Sequence, residues 1–505
     1  MSLSKIDKEE KIIGKKLYDY QHGAIDKIFD RINESPENFN LLYQLPTGGG
    51  KTVIFSEIAR RYLQRKDHKV LILTHRIELC KQTSNMLTEF EVENKIIDSD
   101  VKEITNEDNY SCFVAMVETL NNRIKESKVE IHDIGLVIVD EAHYNSFRKL
   151  FKYFEKCFIL GVTATPLSSN INLPMREIYD DLIVGEKITS LIEKGFLAEA
   201  TTYSFNVNLT ALKIGINGDY TVKSSEELYS KSFMQSKLVK AYEQESKGKK
   251  TLIFNNGIQT SRIVYEMFKH AGYEVEYIDN TNTKEERKKI LEWFKNTPDA
   301  ILSSVGILTT GFDEPTIDTI IINRATKSLA LYFQMIGRGS RILADKKTFS
   351  ILDLGNNVSR FGLWTSGVDW HAIFKNPNFF LDSLMSDEEI ERKFKYVMPD
   401  EVKEMFSKSE DLDFDVKEEY ELAAKSGLKS KAVLEKSLLQ HAKICAENSE
   451  DVFDAHILSR ELHDDIEFRI KQYSYCILKS SKNYIKWLEE DYKRQLRVKI
   501  SQMFY

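Results

Sequence analysis

Residues 45–52 read LPTGGGKT. A short apolar run, Phe39 to Leu42, precedes them, and VIFSEIARRYL follows with apolar residues at helical spacing. The order is strand, glycine loop, helix. Three consecutive glycines, Gly48, Gly49 and Gly50, let the backbone curl with its N–H groups inward, where a side chain would keep a phosphate away. The helix starting near Lys51 adds the positive end of its dipole. The Lys51 ammonium can reach β- and γ-phosphates and the Thr52 hydroxyl can hold Mg²⁺, with Thr47 in the same loop. Leu45 departs from the pattern, which asks for glycine there. A glycine-rich turn without a ligand is the plain alternative.

On the N-terminal side, residues 17–29 read as a helix with Ala24, Ile25, Ile28 and Phe29 on one stripe. The Gln21 amide can read an adenine edge and Tyr18 can stack on its face, although Tyr18 reads first as a packing residue. On the C-terminal side, Val70 to Thr74 is a buried strand that ends at His75 and Arg76, where parallel sheets place ligand contacts. A solvated loop is the alternative for that pair. Phe113 to Val117 is a further strand, followed by ETLNNRI with Thr119. The apolar run Leu136 to Val139 leads into Asp140 and Glu141. Two acids at a strand end complement a phosphate loop: Asp140 can bind Mg²⁺ and Glu141 can polarise an attacking water. Ile159 to Val162 then runs into Thr163 and Thr165, whose short hydroxyls can hydrogen-bond the acidic motif.

A second alternating unit follows. Ile188 to Phe196, Ser261 to His270 and Glu285 to Phe294 read as helices. Thr202 to Val207, Thr251 to Phe254, Tyr273 to Ile278, Ala300 to Ser303, Thr319 to Ile322 and Thr348 to Leu352 read as strands. The alternation implies a second parallel sheet with helices on both faces. It has no phosphate loop, but it carries TTGFDEP, Thr309 to Pro315, and QMIGRGSR, Gln334 to Arg341. Arg338 and Arg341 would approach the γ-phosphate across a cleft that is competent only when closed.

Beyond about Asn376 strand-like runs vanish and charged helices take over. Residues 409–421 are acidic and read as an exposed segment. The tail sets Lys479, Lys482, Lys486, Lys493, Arg494, Arg497 and Lys499 among Tyr475, Tyr484, Trp487 and Tyr492. That mixture suits single-stranded nucleic acid, but it reads first as an amphipathic helix with a solvated basic face.

The 505 residues exceed one core, and 42% hydrophobic with 30% charged is an ordinary soluble composition. A net charge of -7 supplies no global basic field, so a nucleic-acid partner would need a local basic surface. Five scattered cysteines without a C-x-x-C argue for a reducing compartment and against a zinc module. The N-terminus has no apolar signal region and no run reaches the length of a membrane span, so a cytoplasmic protein is expected.

The ordered set LPTGGGKT, LTHR, VDEAH, TAT, LIFNNG, TTGFDEP and QMIGRGSR, over roughly residues 17–370, resembles the superfamily 2 helicases of the DEAH-box type. NRATKSLALYFQMIGRGSR followed by FSILDLGNNVSRFG is most similar to the RadD-like bacterial and phage DNA helicases. The resemblance implies an α/β fold of two tandem RecA-like domains plus a helical C-terminal domain, at 1–185, 186–375 and 376–505. It implies ATP and Mg²⁺ as cofactors and nucleic acid, DNA before RNA, as partner. Gln21 would read adenine, Lys51 and Thr52 would hold phosphates and Mg²⁺, and Asp140 and Glu141 would serve as metal ligand and catalytic acid/base. His143 and Thr163, with Thr165 beside them, would couple the ATP site to the nucleic-acid track. Gly311 and Asp313 would touch the nucleotide from the second domain. Gln334, Arg338 and Arg341 would sense the γ-phosphate. His75, Arg76, Thr119, Asn255, Arg287 and Thr309 would lie along the strand backbone. Ala325 stands where RadD-like chains have proline, and the four-cysteine zinc cluster of RadD is missing from the sequence. A non-catalytic nucleic-acid-binding subunit of a larger complex is the reading from another class, and intact Lys51, Asp140, Glu141 and Arg341 weigh against it.

Overall fold

The computed structural model describes residues 16–100, 110–129, 132–170, 172–309, 311–392, 398–409, 412–477 and 482–504. Two compact units divide the chain: Met1–Val207 with Ala211–Leu384, and Met385–Tyr505 with Asn208–Thr210.

The first unit holds two parallel sheets. Seven strands build the first: β1 Asn40–Gln44, β2 Lys69–Thr74, β3 Asn94–Ile97, β4 Cys112–Met116, β5 Ile134–Asp140, β6 Phe158–Thr163 and β7 Asp181–Val184. Their order is β3-β4-β2-β5-β6-β1-β7. The central strands are apolar along nearly their whole length because helices cover both faces, as in Val70–Leu73 and Leu136–Val139. Two strands escape the sequence reading. Both are four-residue edge strands, and three of the four residues in β3 and in β7 are only half-buried, so neither shows a continuous apolar run.

The second sheet contains β8 Glu199–Ser204, β9 Thr251–Asn255, β10 Val275–Ile278, β11 Ile301–Val305, β12 Thr319–Asn323 and β13 Thr348–Asp353, in the order β10-β11-β9-β12-β13-β8. All six expected strands are present, within a few residues of the expected ends. The helix expected over Ile188 to Phe196 is shorter, Ile188–Glu193, because Gly195 takes φ +71 and turns the chain toward β8. The first sheet ends at Val184 and the second begins at Glu199, on either side of the expected 185/186 boundary.

The helical unit starts later than Asn376. Helices Trp370–Lys375 and Pro377–Asp382 belong to the first unit, where Trp370, Ile373 and Phe374 are buried. From Met385 onward the described residues form helices only. The three longest described are Lys431–Glu447, His463–Cys476 and Lys482–Met503, packed through Val433, Ala442, Ile466, Ile470, Leu496 and Ile500. No helix among the described residues is long and apolar enough to cross a membrane.

Candidate nucleotide site

Parallel strands deliver their C-terminal ends to one edge of a sheet, and four such ends meet here. β1 and β6 run side by side with Gln44 opposite Thr163, and β5 lies next to β6 with Asp140 opposite Val162. Leu45 N–H donates to the Thr163 carbonyl at 3.0 Å, and Ala142 N–H donates to the Val162 carbonyl at 3.0 Å. The glycine loop and the acidic motif are thus stitched to the same strand.

Gly48 and Gly50 adopt φ +85 and +82, the left-handed region, while Gly49 does not. Helix Lys51–Arg65 begins directly after Gly50, so its unsatisfied N–H groups face the loop. Among the described residues Lys51 Nζ donates only to the Leu45 carbonyl, at 3.3 Å, and Thr52 is half-buried one residue on. Burial pulls the Lys51 ammonium below the usual lysine range, against the charges of Glu141 and Asp140. Burial, and then the neighbouring Glu141 charge, push the Asp140 carboxyl up to about 7. Burial works upward on Glu141 too, but Lys51, His143 and His75 outweigh it and hold that carboxyl low. Glu141 has φ +52, and its N–H donates to Asp140 Oδ1 at 3.0 Å.

His143 is fully enclosed. Its Nδ1 lies 3.0 Å from Thr163 Oγ1, whose hydroxyl donates to the Thr165 carbonyl, and 3.4 Å from Glu141 Oε2. Gln334 Nε2 reaches its other nitrogen at 3.4 Å. The network therefore assigns the proton to Nδ1, with Nε2 accepting from Gln334.

The second sheet's loops close over this edge. A Cβ on Gly337 would sit 2.6 Å from Thr47 Cβ, and one on Gly48 would meet Leu197 at 2.8 Å and Ser340 Oγ at 3.1 Å. Arg338 is buried, and burial followed by the charge of Arg341 pulls its guanidinium down to about 9. It donates to the carbonyls of Thr309, at 2.9 Å, and Phe312. Arg341 pairs with Asp313 and donates to the Gly337 carbonyl at 2.6 Å. Gly311, φ +74, offers its carbonyl to Gln82 Nε2 at 2.6 Å.

Beside the loop, Tyr18 is 47% exposed and lies 4.2 Å from the Phe196 ring, while Tyr20 lies 5.2 Å from Phe196 and donates its hydroxyl to the Gly49 carbonyl at 2.8 Å. Gln21 is buried against Gly50, and its Oε1 accepts from Tyr18 N–H at 3.0 Å. The sequence reading missed Tyr20 and Phe196. Tyr20 could have been found as the aromatic next to Gln21, whereas nothing local marks Phe196, which arrives from beyond the first sheet.

The residues expected along a nucleic-acid strand differ in burial and in the contacts they make. Arg76 donates across the cleft to the carbonyls of Ile307, at 3.0 Å, and Gly306, at 3.5 Å. Thr119 is half-buried on helix Val117–Lys125, and Arg287, on helix Lys284–Asn296, donates to the Asn280 carbonyl at 3.1 Å. Three of them are engaged within the protein. Asn255 is buried and spent inside its sheet, donating to Ser303 Oγ at 3.0 Å and accepting from Asn323 at 2.7 Å. Thr309 turns its hydroxyl onto the Gly306 carbonyl at 2.9 Å. His75 faces the acids, its ring 4.2 Å from Tyr144, which lies 4.3 Å from His143. In the tail, Tyr492 is a core residue whose hydroxyl meets His441 Nδ1 at 2.9 Å, while Tyr484 and the exposed Trp487 stack at 5.9 Å. Lys479 and the side chains of Tyr475 and Lys482 lie outside the described residues.

Several buried polar atoms at this edge have no hydrogen-bond partner among the described residues: Glu141 Oε2, Thr47 Oγ1, Thr165 Oγ1, Arg338 Nε and both His75 nitrogens. Orphaned buried groups are costly, and this set fits a polyphosphate with a divalent cation.

Two family models match, one over each sheet. Residues 14–168 match "Type III restriction enzyme, res subunit", and residues 234–343 match "Helicase conserved C-terminal domain". With the fold, these matches support a superfamily 2 helicase. Among relatives, IRC3 of Saccharomyces cerevisiae, provisionally named an ATP-dependent helicase, is 30% identical over 67% of this chain and 51% of its own, so the chain spans about half of its length. A 51.5 kDa protein of a Lactococcus phage is 29% identical over 66% of this chain and 70% of its own. The solved structure of LlaBIII, a Type ISP restriction-modification enzyme bound to DNA, shares the fold with TM-score 0.51 at 15% identity, covering 99% of this chain and 43% of that one.

Proposed function

We propose that the chain is an ATP-driven nucleic-acid translocase or helicase of the DEAH type, with DNA favoured over RNA. The observation that carries this reading is the meeting of Lys51, Asp140 and Glu141 on one sheet edge with Gly337 and Ser340 of the second sheet's arginine loop packed directly on the phosphate loop. Lys51 would neutralise β- and γ-phosphate charge, and Thr52 and Asp140 would hold Mg²⁺, which when bound shields the phosphates and draws charge from the leaving group. Glu141 would take the proton of the attacking water, with Oε2 near His143 but accepting no hydrogen bond among the described residues. Gln334 and the two arginines would stabilise the transferring phosphoryl group from the second lobe. The base would stack beside Tyr18 and Phe196, next to Gln21. Gly311 and Asp313 would touch the nucleotide from the second lobe, Asp313 beside its partner Arg341.

Preference for DNA rests on the restriction-enzyme character of the first family model. The RadD-like stretch Asn323 to Gly362 extends the reading to repair, recombination or phage biology, and the five free thiols suit a cytoplasmic setting. The test is ATP turnover by the wild type and Lys51→Ala with single-stranded DNA, duplex DNA, forked DNA and RNA. Stimulation by DNA that Lys51→Ala abolishes is the expected outcome. Turnover by Lys51→Ala at the wild-type rate would remove the proposal.

A further inference from the structure

Lys346 lies outside every motif quoted above, in the turn between the arginine loop and β13. It is 6% exposed. Its ammonium has three protons and spends all three on backbone carbonyls: Gly339 at 2.8 Å, Pro315 at 2.9 Å and Arg341 at 3.0 Å. Gly339 and Arg341 belong to the arginine loop, and Pro315 closes TTGFDEP. No carboxylate pairs with Lys346 among the described residues, although Asp318 and Glu314 lie near enough to favour its charge. Burying an ammonium without an ion-pair partner is expensive, so the carbonyl cage has to be well made.

The two segments it ties are those the arginines already bridge. Arg338 reaches back to Thr309 and Phe312, and Arg341 pairs with Asp313. Lys346 fixes the backbone beneath both contacts. We propose that Lys346 is a positioning residue for hydrolysis, holding the arginine loop against TTGFDEP so that Arg338 and Arg341 are presented to the phosphoryl group. This rests on the ATPase reading above.

The test compares wild type with Lys346→Met, which keeps the length and removes the charge, and Lys346→Gln, which keeps two donors. Misplacing a catalytic group by about 1 Å costs on the order of 10²-fold in rate. The expected result at 25 °C is a kcat for ATP lower by ten- to a hundredfold in Lys346→Met and less in Lys346→Gln, with KM within about threefold. In an Arg341→Lys background, Lys346→Met should add less than its single effect, because both act through one loop. Unchanged kcat in folded Lys346→Met, or full multiplication of the two effects, overturns the proposal. Failure of both variants to fold also overturns it, since the lysine is then a requirement of the fold alone. A wild type without ATPase activity would instead defeat the underlying functional reading, so the two failures are distinguishable.

Discussion

Gly337→Ala places one methyl group between the lobes. The new Cβ would lie 2.6 Å from both Cβ and Cγ2 of Thr47, where carbon atoms ordinarily stop at about 3.5 Å. Rotating Thr47 moves Cγ2 but not Cβ, which the loop backbone fixes. The conflict is therefore relieved only by withdrawing the second lobe from the phosphate loop by about 1 Å. Gly337 itself sits at φ -57, ψ -13, directly after helix Leu329–Ile336, so alanine brings no backbone strain there and gains up to about 1 kcal/mol of helix propensity. Stability and turnover should separate. Thermal unfolding should be unchanged or slightly later, while a shift of about 1 Å at the arginines should cost about 10²-fold in kcat, or about 2.7 kcal/mol of barrier. Steady-state ATP hydrolysis at saturating nucleic acid, run beside thermal melts, measures both. A Gly337→Ala enzyme within threefold of wild-type kcat would refute the idea that hydrolysis requires this closed contact.

Glu141→Gln keeps the shape and removes the base, so it should bind ATP and release no phosphate on the wild-type timescale; unchanged turnover would show that another group takes the proton. Burial and then the charge of Arg469 hold His441 down at about 4, against its hydrogen-bonded partner Asp465 at 2.9 Å. A depressed folded pKa gives stability that is present above about 6.5 and lost as pH falls toward 4, because the unfolded chain takes up the proton first. That loss should be on the order of 3 kcal/mol, read as lower protection factors, corrected for the intrinsic pH dependence of exchange, in helix Lys431–Glu447. His441→Gln should flatten the dependence, and a variant with the wild-type slope would assign it elsewhere.

The motor was legible where one stretch carries both the element and the chemistry. LPTGGGKT needs left-handed backbone at Gly48 and Gly50, and glycine supplies it openly in the sequence. VDEAH ends an apolar run, so the strand and its acids are read together. The short edge strands β3 and β7 stayed hidden because half-buried strands lack the apolar signature. Asn255 misled for a related reason: an amide at a strand's C-terminal end looks like a ligand group, but here Ser303 and Asn323 consume it within the sheet. Tyr492 misled through composition. It stands among lysines and arginines, yet helix Lys482–Met503 turns it inward with Leu488, Leu496 and Ile500 while Trp487 faces out. Spacing along one helix separates those two faces, and counting aromatics among basic residues does not.

What sequence could not show at all is how the lobes hold each other, because the groups that receive the contacts are backbone. Arg76 and Gln82, from the first lobe, take the carbonyls of Gly306, Ile307 and Gly311. At the phosphate loop the contact is steric, Gly337 on Thr47. The two contacts share covalent neighbours. Arg76 follows His75, whose ring packs at a tilt on Tyr144, which packs in turn on His143. The carbonyls that Arg76 holds lie in the turn whose Thr309 and Phe312 receive Arg338. Arg76 is therefore linked to Glu141 through rings on one side and to Arg338 through neighbouring backbone on the other. Lys346 keeps that turn and the arginine loop from slipping past each other. In a cleft built this way, a strand of nucleic acid that engages Arg76 would compete with its carbonyl partners and bear on both halves of the ATP site at once.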